Sequence, residues 1–321
     1  MDARPDAPVL TNPGSDRVKA VRALSGRSTR ARSGRFVAEG PQAVREAVRF
    51  AAGVVRDVYL TPDAAERYPE IAAEARDRGL HLHVGTDEVL ATMSPDCQGV
   101  LAVVNTPTAS LDDVLAAGPR LVAVLSNVRD PGNAGTVIRA ADAAGADAVV
   151  LTESSVELVN PKVVRATAGS LFHLPVVTGV ALAEVVESLR SAGLAVLAAD
   201  GAGEHDLDGL LDLVAASSAP GTPLMTGAGS AAAEPSDMRS AVIPNLAAPT
   251  AWLFGNEAWG LTPEERVLAD AVVRVPIHGR AESLNLATAA SVCLYASARA
   301  QRPPRDSRRR DPRRGTGSAP K

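Results

Sequence analysis

The sequence predicts an α/β protein whose larger, C-terminal part is built on a parallel sheet. Short aliphatic runs alternate with stretches of helical spacing along most of the chain, and this alternation is typical of βαβ units. Of the 321 residues, 46% are hydrophobic but only 3% are aromatic. The core must therefore be formed by Ala, Val and Leu, and aliphatic runs of this kind suit the buried strands of a parallel sheet.

The first predicted domain, residues 15–106, is a small α/β unit. Residues 1–14, rich in Pro, Asp and Asn, precede it and are expected to be disordered. Pro41 marks a helix start, because proline suits the first helical turn. The predicted strands are 35–40, 55–60, 80–84 and 99–104, and the predicted helices are 41–51 and 62–79.

A linker that runs into a short helix, residues 107–119, leads to the second predicted domain, residues 120–301. Because this domain starts as strand, turn, helix and strand, its sheet is expected to be parallel. Gly145 is expected to end the first helix. The predicted strands are 120–128, 146–151, 174–178, 194–200, 250–256 and 271–277, the predicted helices are 136–145, 160–168, 181–192 and 284–300, and the first turn is 130–135.

Two segments of the C-terminal half differ from this pattern. Of the 27 residues in 215–241, 19 are Ala, Ser, Gly or Pro, and such a stretch cannot bury enough apolar surface to offset the entropy of ordering it. We predict a flexible surface insertion there. Residues 302–321 are expected to form a disordered basic tail.

The charge is unevenly distributed. Residues 17–49 hold nine Lys and Arg against two acidic residues, and residues 302–321 hold eight against two, although the whole chain carries −4. Two basic stretches on an acidic body indicate a polyanionic partner, in the first place a nucleic acid. A solvated helix face and a solubilising tail are the alternatives.

Several classes of protein are disfavoured by the composition. Two cysteines, Cys97 and Cys293, are too few for a disulfide framework or a four-thiolate metal site. His81 and His83 would share one face of a strand, but no acid or thiol at matching spacing supports a metal site. No apolar run is long enough to span a membrane and the N-terminus lacks a signal layout, so we expect a cytoplasmic protein without metal or membrane.

The first segment with chemical potential follows the strand 120–128. It is NVRDPGNAGTVIR, residues 127–139. Pro131 and Gly132 predict a tight turn, and Asn133 a cap for the following helix. Arg139 would lie within the first two turns, where a cation opposes the helix dipole, so a bound RNA phosphate would explain it. A plain surface arginine is the alternative.

The second segment, LFGNEAWGL at residues 253–261, follows another predicted strand. Gly255 and Gly260 bracket a loop that can approach a ligand closely. Glu257 either accepts hydrogen bonds from a ligand or orders the loop. Trp259 either stacks on a base or plugs the loop into the core, and for a single tryptophan we favour packing.

The third segment is VPIHGRAESLNLA at residues 275–287. Ser283 and Asn285 flank a helix start, where backbone N–H groups are free. They either contact a ligand or simply cap the helix. Since ligands bind beyond the carboxyl ends of parallel strands, all three segments are expected at one edge of the sheet.

Together and in this order, the three segments resemble the three motifs of the SpoU/TrmH-like RNA 2′-O-ribose methyltransferases of the SPOUT superfamily. The resemblance covers about residues 120–300, and residues 16–105 resemble, more loosely, the L30e-like substrate-binding domain often fused ahead of it. It implies a parallel-sheet SPOUT fold whose C-terminal part is threaded into a trefoil knot, and a homodimer with the site close to the subunit interface.

The resemblance also assigns the site. It implies S-adenosylmethionine bound by the second and third motifs, and a catalytic arginine at Arg139. Its implied partners in catalysis are Asn133, Glu257, Ser283 and Asn285. The implied cofactor-binding residues are Gly255, Asn256, Glu257, Gly260, Val275, Pro276, Ile277, Ser283 and Leu284. Candidate RNA contacts are Arg27, Arg30, Arg32 and Arg35 of the basic stretch, with Arg129 and Arg139 of the first motif.

The expected reaction is methyl transfer to a ribose 2′-hydroxyl of structured RNA, with ribosomal RNA ahead of transfer RNA. A methyltransferase that protects ribosomal RNA from an antibiotic is a variant of the same prediction. Because a guanidinium loses its proton only above about pH 12, we expect Arg139 to hold the neighbouring phosphate and stabilise the developing alkoxide. A noncatalytic RNA-binding protein of this fold and a nucleotide-dependent α/β enzyme remain the alternatives.

Overall fold

Both predicted sheets form, and each belongs to its own part of the chain. The computed structural model describes residues 9–217 and 243–302. A four-stranded sheet lies in the N-terminal part and a seven-stranded sheet in the C-terminal part. The predicted α/β class, with a parallel sheet in the larger unit, is therefore confirmed.

The N-terminal unit is a mixed sheet covered by short helices. Its strand order is β1-β4-β2-β3, in which β4 is antiparallel to both neighbours and β3 is parallel to β2. Its elements are α1 (Asp16–Ala23), α2 (Arg27–Ser33), β1 (Arg35–Glu39), α3 (Pro41–Phe50), β2 (Val55–Leu60), α4 (Pro62–Arg67), α5 (Pro69–Asp77), β3 (His81–Val84), α6 (Asp87–Met93) and β4 (Val100–Asn105).

Two predictions for this unit are corrected, and three of its helices were not predicted. The Leu10 amide donates to the Val84 carbonyl, and the Leu10 carbonyl accepts from Thr86, so residues 9–14 are not disordered; residues 1–8 lie outside the described part. The predicted helix 62–79 is two helices, because Pro69 starts a new first turn. Helices α1, α2 and α6 were not predicted, since their apolar faces are short; α1, for example, buries only two residues.

The C-terminal unit is a fully parallel sheet with helices on both faces. The described strands follow the order β7-β6-β5-β10-β8-β11-β9. Its elements are α7 (Leu111–Ala116), β5 (Leu121–Leu125), α8 (Pro131–Ala144), β6 (Ala148–Thr152), α9 (Pro161–Ala166), β7 (Val176–Val180), α10 (Leu182–Ser191), β8 (Ala195–Ala199), β9 (His205–Asp206), α11 (Leu207–Ser217), β10 (Thr250–Phe254), α12 (Pro263–Leu268), β11 (Ala271–Arg274) and α13 (Leu286–Gln301).

Strand β10 enters the sheet late in the sequence but lies near its centre. It pairs with β5 on one side and with β8 on the other. Because parallel strands end at the same edge, the loops that follow β5, β10 and β11 are brought to one side of the molecule. This placement was predicted from the three motifs. The threading of a trefoil knot remains a prediction.

The core of the C-terminal unit joins α13 to the sheet. Trp252 on β10 is fully buried, and its indole N–H donates to the Ser297 hydroxyl at 2.9 Å. Cys293, on the same helix, is also buried, which raises the pKa of its thiol. Both cysteines are free. Among the described residues no helix is long and apolar enough to cross a membrane.

The predicted insertion 215–241 is corrected at its start. Helix α11 runs to Ser217, so residues 215–217 are helical. The rest of the prediction lies outside the described residues, as does the tail from residue 303. Helices α11 and α12 and strand β9 were not predicted.

The two units share an apolar core and several ion pairs. Phe36 of β1 stacks on Phe172, with ring centroids 6.4 Å apart. The Arg165 guanidinium donates to Glu39 and to Asp96 of the N-terminal unit. These contacts fix the orientation of the N-terminal unit against the parallel sheet.

Candidate active site

The first motif begins helix α8 at Pro131, five residues earlier than the predicted start at residue 136. Pro131 and Gly132 lie in the first helical turn rather than in a separate tight turn. Asp130 is the cap, since its carboxylate accepts the Asn133 amide at 2.7 Å. The prediction was wrong because Asp-Pro-Gly suits both a turn and the sequence of a capped helix with proline in its first turn.

Arg139 therefore lies deeper in the helix than expected. Helix α8 begins at Pro131, so Arg139 is well beyond the first turn, where the dipole field falls off. The helix dipole therefore gives little reason for Arg139 to need an anionic partner. Arg139 is nevertheless exposed, and it forms no hydrogen bond or ion pair with the described residues. Its guanidinium is available to a ligand.

The second motif is tied to the first through Asn256 and Glu257. The Glu257 carboxylate accepts the backbone N–H groups of Arg129 and Asp130, at 3.4 and 3.1 Å. The buried Asn256 side chain donates to the Asn127 carbonyl at 2.6 Å. Of the two predicted roles for Glu257, ordering a loop is the one these contacts support. The two motifs form a single rigid edge.

Gly255 and Gly260 close the second loop on itself. The Asn256 and Gly260 backbones exchange two hydrogen bonds of 2.9 Å. A Cβ on Gly255 would lie 2.3 Å from the Gly260 carbonyl carbon, and Gly260 has a positive φ of 71°. Gly255 thus permits a close approach of backbone to backbone, whereas we predicted an approach to a ligand.

The third motif joins the first at the start of α13. Asn285 caps this helix by accepting the Ala287 and Thr288 amides, which confirms the capping alternative. Its side-chain N–H also donates to Asn133 on α8 at 3.0 Å. A cap alone does not require that second contact. Asn285 therefore holds two motifs together.

Helices α8 and α13 run side by side in the same direction. Asn133 meets Asn285 at their N-terminal ends, and the Tyr295 hydroxyl donates to the Ala143 carbonyl further along. Both contacts join residues 152 apart in sequence, which is the signature of parallel alignment. Arg139 lies six residues beyond Asn133, about 9 Å along the axis. Within one chain it faces solvent beside α13.

The loop between β11 and α13 is open to ligands. Ile277 and Leu284 are 39% and 37% exposed, although both are large and apolar. The backbone from Ile277 to Ser283 forms no hydrogen bond with the described residues. Val275 and Pro276 are partly buried at the strand end, and Ser283 is exposed. Apolar side chains beside unpaired N–H and C=O groups suit a nucleoside, with its flat base and polar edge.

Trp259 does not plug the loop into the core, as we had favoured. Its side chain is 52% exposed. The Arg129 guanidinium carbon lies 5.5 Å from the centre of the indole ring, a cation–π distance. The prediction failed because composition alone cannot tell a tryptophan in a closed surface loop from one in a core.

Sequence reasoning missed the support behind these loops. Glu265 completes a capping box with Thr262 at the start of α12, and its carboxylate also accepts the Ser126 hydroxyl and the Asn127 amide. Asn127 adopts a positive φ of 55°. The Thr-Pro-Glu-Glu sequence, residues 262–265, was the signal that could have revealed this box.

The basic stretch divides into engaged and exposed arginines. Arg30 is 4% exposed and forms a two-pronged pair with Glu157, at 2.9 and 2.7 Å. It also donates to two backbone carbonyls. The prediction that Arg30 contacts RNA is therefore wrong, because its guanidinium joins the two units. Arg27, Arg32 and Arg35 are exposed, although the Arg27 guanidinium also lies 3.9 Å from the Glu157 carboxylate.

The predicted histidine pair also has a structural explanation. The His83 ring bonds to Asp57 at 2.7 Å and stacks on Tyr59. The resulting hydrogen bond is the main reason that the pKa of Asp57 is lowered. Within residues 9–217 and 243–302, no group of three or more His, Cys, Asp or Glu is arranged to hold a metal ion. His278, in the third motif, pairs with Asp208 at 3.4 Å.

Comparison with known proteins covers both units. Residues 120–295 match the SpoU rRNA methylase family, and residues 15–102 match the MRM3-like substrate binding domain. The first match includes all three motifs. The second confirms a small substrate-binding unit ahead of the parallel sheet.

Curated relatives match over most of their length. A 23S rRNA (guanosine(2553)-2′-O)-methyltransferase of Bacillus subtilis is 29% identical over 88% of this chain and 95% of its own. A 23S rRNA (uridine(2479)-2′-O)-methyltransferase of Streptomyces viridochromogenes is 29% identical over 86% of both chains. These relatives modify different nucleosides.

Solved structures show the same architecture. An AdoMet-bound rRNA methyltransferase from Sinorhizobium meliloti aligns with a TM-score of 0.70 at 28% identity, over 91% of this chain and 97% of its own. The SpoU methyltransferase AviRb from Streptomyces viridochromogenes, in complex with AdoMet, aligns with a TM-score of 0.68 at 29% identity, over 89% and 98%.

Proposed function

The chain belongs to the SpoU rRNA methylase family, and from this we propose that it transfers a methyl group from S-adenosylmethionine to a ribose 2′-hydroxyl of ribosomal RNA. The observation that carries the proposal is the convergence of the three motifs. Glu257 joins the second to the first, and the hydrogen bond between Asn285 and Asn133 joins the third to the first. Beside them stands Arg139, whose guanidinium has no partner among the described residues.

The loop that follows β11 fits the methyl donor. Ile277 and Leu284 would cover the adenine, while the unpaired backbone groups between them would bind its polar edge. Gly255, Asn256, Glu257 and Gly260 would support the opposite side by keeping their loop closed. Val275, Pro276 and Ser283 complete the proposed set. When bound, S-adenosylmethionine supplies a methyl group activated by a positively charged sulfur.

The chain itself must place and activate the ribose. We assign to Arg139 the binding of the phosphate beside the target ribose and the stabilisation of the developing alkoxide. The guanidinium does not accept the proton of the 2′-hydroxyl, because it already carries its own proton at every pH up to far above neutral. Asn133 and Asn285 hold one another, and thereby keep the two helix starts in register. The positioned hydroxyl gains the benefit of proximity, and solvent accepts its proton.

Glu257 acts in this proposal by positioning. Its two carboxylate oxygens already accept two backbone N–H groups of the first motif. A carboxylate so engaged is a weak candidate for a base, since deprotonating the ribose would compete with both bonds. Its contribution is to keep Arg129 and the start of α8 in place.

Ribosomal RNA is the first choice of substrate because the two relatives described above are named for 23S rRNA. The exposed Arg27, Arg32 and Arg35 of the N-terminal unit, with Arg129 and Arg139, would contact the RNA backbone. Since the relatives act on guanosine in one case and uridine in the other, the target base is left open. Transfer RNA is the second choice.

A second copy of the chain would complete the site. Val292 and Tyr295, 41% and 50% exposed, lie on the outer face of α13 next to the α8 face that carries Arg139. A homodimer through these helices would cover both and bring Arg139 close to a second subunit. With an RNA acceptor, we expect the enzyme to act in the cytoplasm, without a membrane or a metal ion.

The test is transfer of a tritiated methyl group to unmodified 23S rRNA transcribed in vitro, followed by nuclease digestion and mass spectrometry of the nucleosides. We expect radioactivity in RNA as one 2′-O-methylnucleoside. RNA binding without transfer would favour a noncatalytic RNA-binding protein. Calorimetric titration with S-adenosylmethionine and with ATP separates the remaining alternative, since a nucleotide-dependent enzyme would bind only ATP.

A further inference from the structure

Trp259 and Arg129 form an exposed pair at the rim of the three motifs. Trp259 is one of two tryptophans in the sequence, and the other, Trp252, is fully buried. Trp259 is 52% exposed, and its indole N–H has no partner among the described residues. Exposing so large an aromatic ring forgoes the free energy of burying it, which calls for a ligand.

The pair is held in place from both sides. The Trp259 loop is closed by the two backbone hydrogen bonds between Asn256 and Gly260. The Arg129 backbone N–H donates to Glu257 of the same loop. The backbone that carries the ring and the guanidinium is therefore ordered before any ligand binds, which lowers the entropy lost on binding.

The positive charge of Arg129 indicates that the ligand of this pair is anionic. Arg129 forms no ion pair with a carboxylate in the described parts of the chain; its side-chain contact is with the indole ring, 5.5 Å away. The guanidinium lies over one face of the indole ring, and Trp259 as a whole is 52% exposed. A flat group attached to an anion satisfies both features: its plane stacks on the indole, and its charge lies near the guanidinium.

We propose that Trp259 is the stacking platform for an RNA base next to the methylated nucleotide, and that Arg129 holds the ring and the adjoining phosphate. The inference rests on the proposed methyltransferase function. It adds a contact that makes the enzyme depend on an unpaired base beside its target. Bases that are splayed out of a helix are the ones aromatic side chains bind.

The first experiment compares Trp259→Leu and Trp259→Phe with the wild type on the 23S transcript. Base–aromatic stacking is worth about 5- to 150-fold in affinity. We expect KM for RNA to rise by about that factor in Trp259→Leu, to recover in Trp259→Phe, and kcat to change less. The affinity for S-adenosylmethionine without RNA, measured by calorimetry, is expected to stay unchanged.

The matched control is Tyr68→Leu. Arg67 lies over the Tyr68 ring at 5.4 Å in the N-terminal unit, so this change removes the same kind of pair at a distance from the motifs. Because Tyr68 is partly buried against the core, we expect a loss of thermal stability at least as large as in Trp259→Leu, and no change in KM. A purely structural role for the Trp259 pair would make the two variants alike.

The second experiment uses fluorescence in a Trp252→Phe background, in which Trp259 is the one tryptophan. We expect iodide to quench its emission in the free protein, and RNA to quench the emission directly and to protect it from iodide. If this variant does not fold, the same titration of the wild type reports the accessible fraction, because Trp252 is buried.

Three results would overturn the inference while leaving the methyltransferase function standing. One is a Trp259→Leu enzyme with wild-type KM for RNA. Another is a loss of S-adenosylmethionine affinity without RNA, which would place the ring against the cofactor. The third is an iodide-protected tryptophan in the free dimer, which would place it against a second copy. Absence of methyl transfer by the wild type would instead defeat the proposed function itself.

Discussion

The arginines of the N-terminal basic stretch and those of the catalytic motifs differ in what they are bound to. Arg30, Arg45 and Arg49 are each paired with a glutamate through at least two hydrogen bonds. The guanidinium groups of Arg129 and Arg139 have no carboxylate partner among the described residues. The number of basic residues alone indicated that the N-terminal stretch binds RNA. The ion pairs show that several of these arginines are already engaged, so the arginines of the motifs become the better candidates for binding RNA.

The difference has a simple physical basis. A guanidinium that already binds a carboxylate must break that bond before it can bind a phosphate. One without a partner gives up only water. The available positive charge of a surface therefore depends on its acidic neighbours, and the predictions below test this distinction.

The largest effect is expected at Arg139. Arg139→Lys should lower kcat by about 100-fold or more, because lysine lacks the planar fork that holds a phosphate and a developing alkoxide together. RNA binding should be partly retained and the affinity for S-adenosylmethionine unchanged. Steady-state kinetics and calorimetry check both expectations.

The control for this variant is Arg190→Lys. Arg190 is paired with Asp270 on the surface, and the same substitution there should leave kcat within about twofold of the wild type. Near-normal turnover by Arg139→Lys would rule out the role assigned to the guanidinium.

The next largest effect is a loss of stability, and we expect it at the arginines that are paired with glutamates. Arg30→Met removes the donor of two backbone carbonyls and the close partner of Glu157, which keeps the longer 3.9 Å contact with Arg27. Breaking such a mostly buried pair costs about 3 kcal/mol. Urea unfolding measures the loss. Arg45→Met breaks a more exposed pair with Glu70 and should cost about 1 kcal/mol or less. Equal losses would contradict the assignment of Arg30 to the core of the junction.

Much of the fold followed from the sequence, and the errors share a cause. Strands β5, β6, β8 and β10 were predicted because aliphatic runs bounded by turn residues are local signals. The burial of Arg30 depends on Glu157, 127 residues away, and no local pattern contains that information.

The candidate site shows the same limit. The motifs indicated that three loops meet, and the contacts of Asn285 and Glu257 agree with it. The predicted start of α8 was wrong because Asp-Pro-Gly fits two local structures. The predicted packing of Trp259 into the core was wrong because the burial of a tryptophan is set by tertiary packing. The role of Gly255 also depends on a backbone that approaches from Gly260.

A smaller effect is expected from exposed arginines of the N-terminal unit. The double variant Arg32→Gln/Arg35→Gln should weaken RNA binding and reduce the slope of log affinity against log salt by about 1 to 2. The double variant Arg45→Gln/Arg49→Gln, in which both side chains are paired with glutamates, should change the slope by much less. Filter binding over a range of salt concentrations measures both slopes. Equal slopes for the two double variants would contradict the distinction between paired and unpaired arginines.

The smallest effect concerns pH. The hydrogen bond from His83 is the largest cause that lowers the pKa of Asp57 below its ordinary 3.8. A lowered folded-state pKa stabilises the protein above that ordinary value, and the contribution disappears as pH falls through the folded-state pKa. Asp57→Asn should therefore flatten the acid side of the stability curve, measured by urea midpoints from pH 6 to 3. Asp77→Asn, at an exposed position, should follow the wild type.

The convergence of the three motifs on one site is tested most directly by a crystal structure of the protein with sinefungin, a stable analogue of the methyl donor. We expect the analogue to lie between the loop closed by Gly255 and the loop that ends at Leu284. An Arg139 guanidinium, from the same subunit or its partner, should lie within reach of the ribose position. A structure with Arg139 remote from the analogue in both subunits would contradict this expectation.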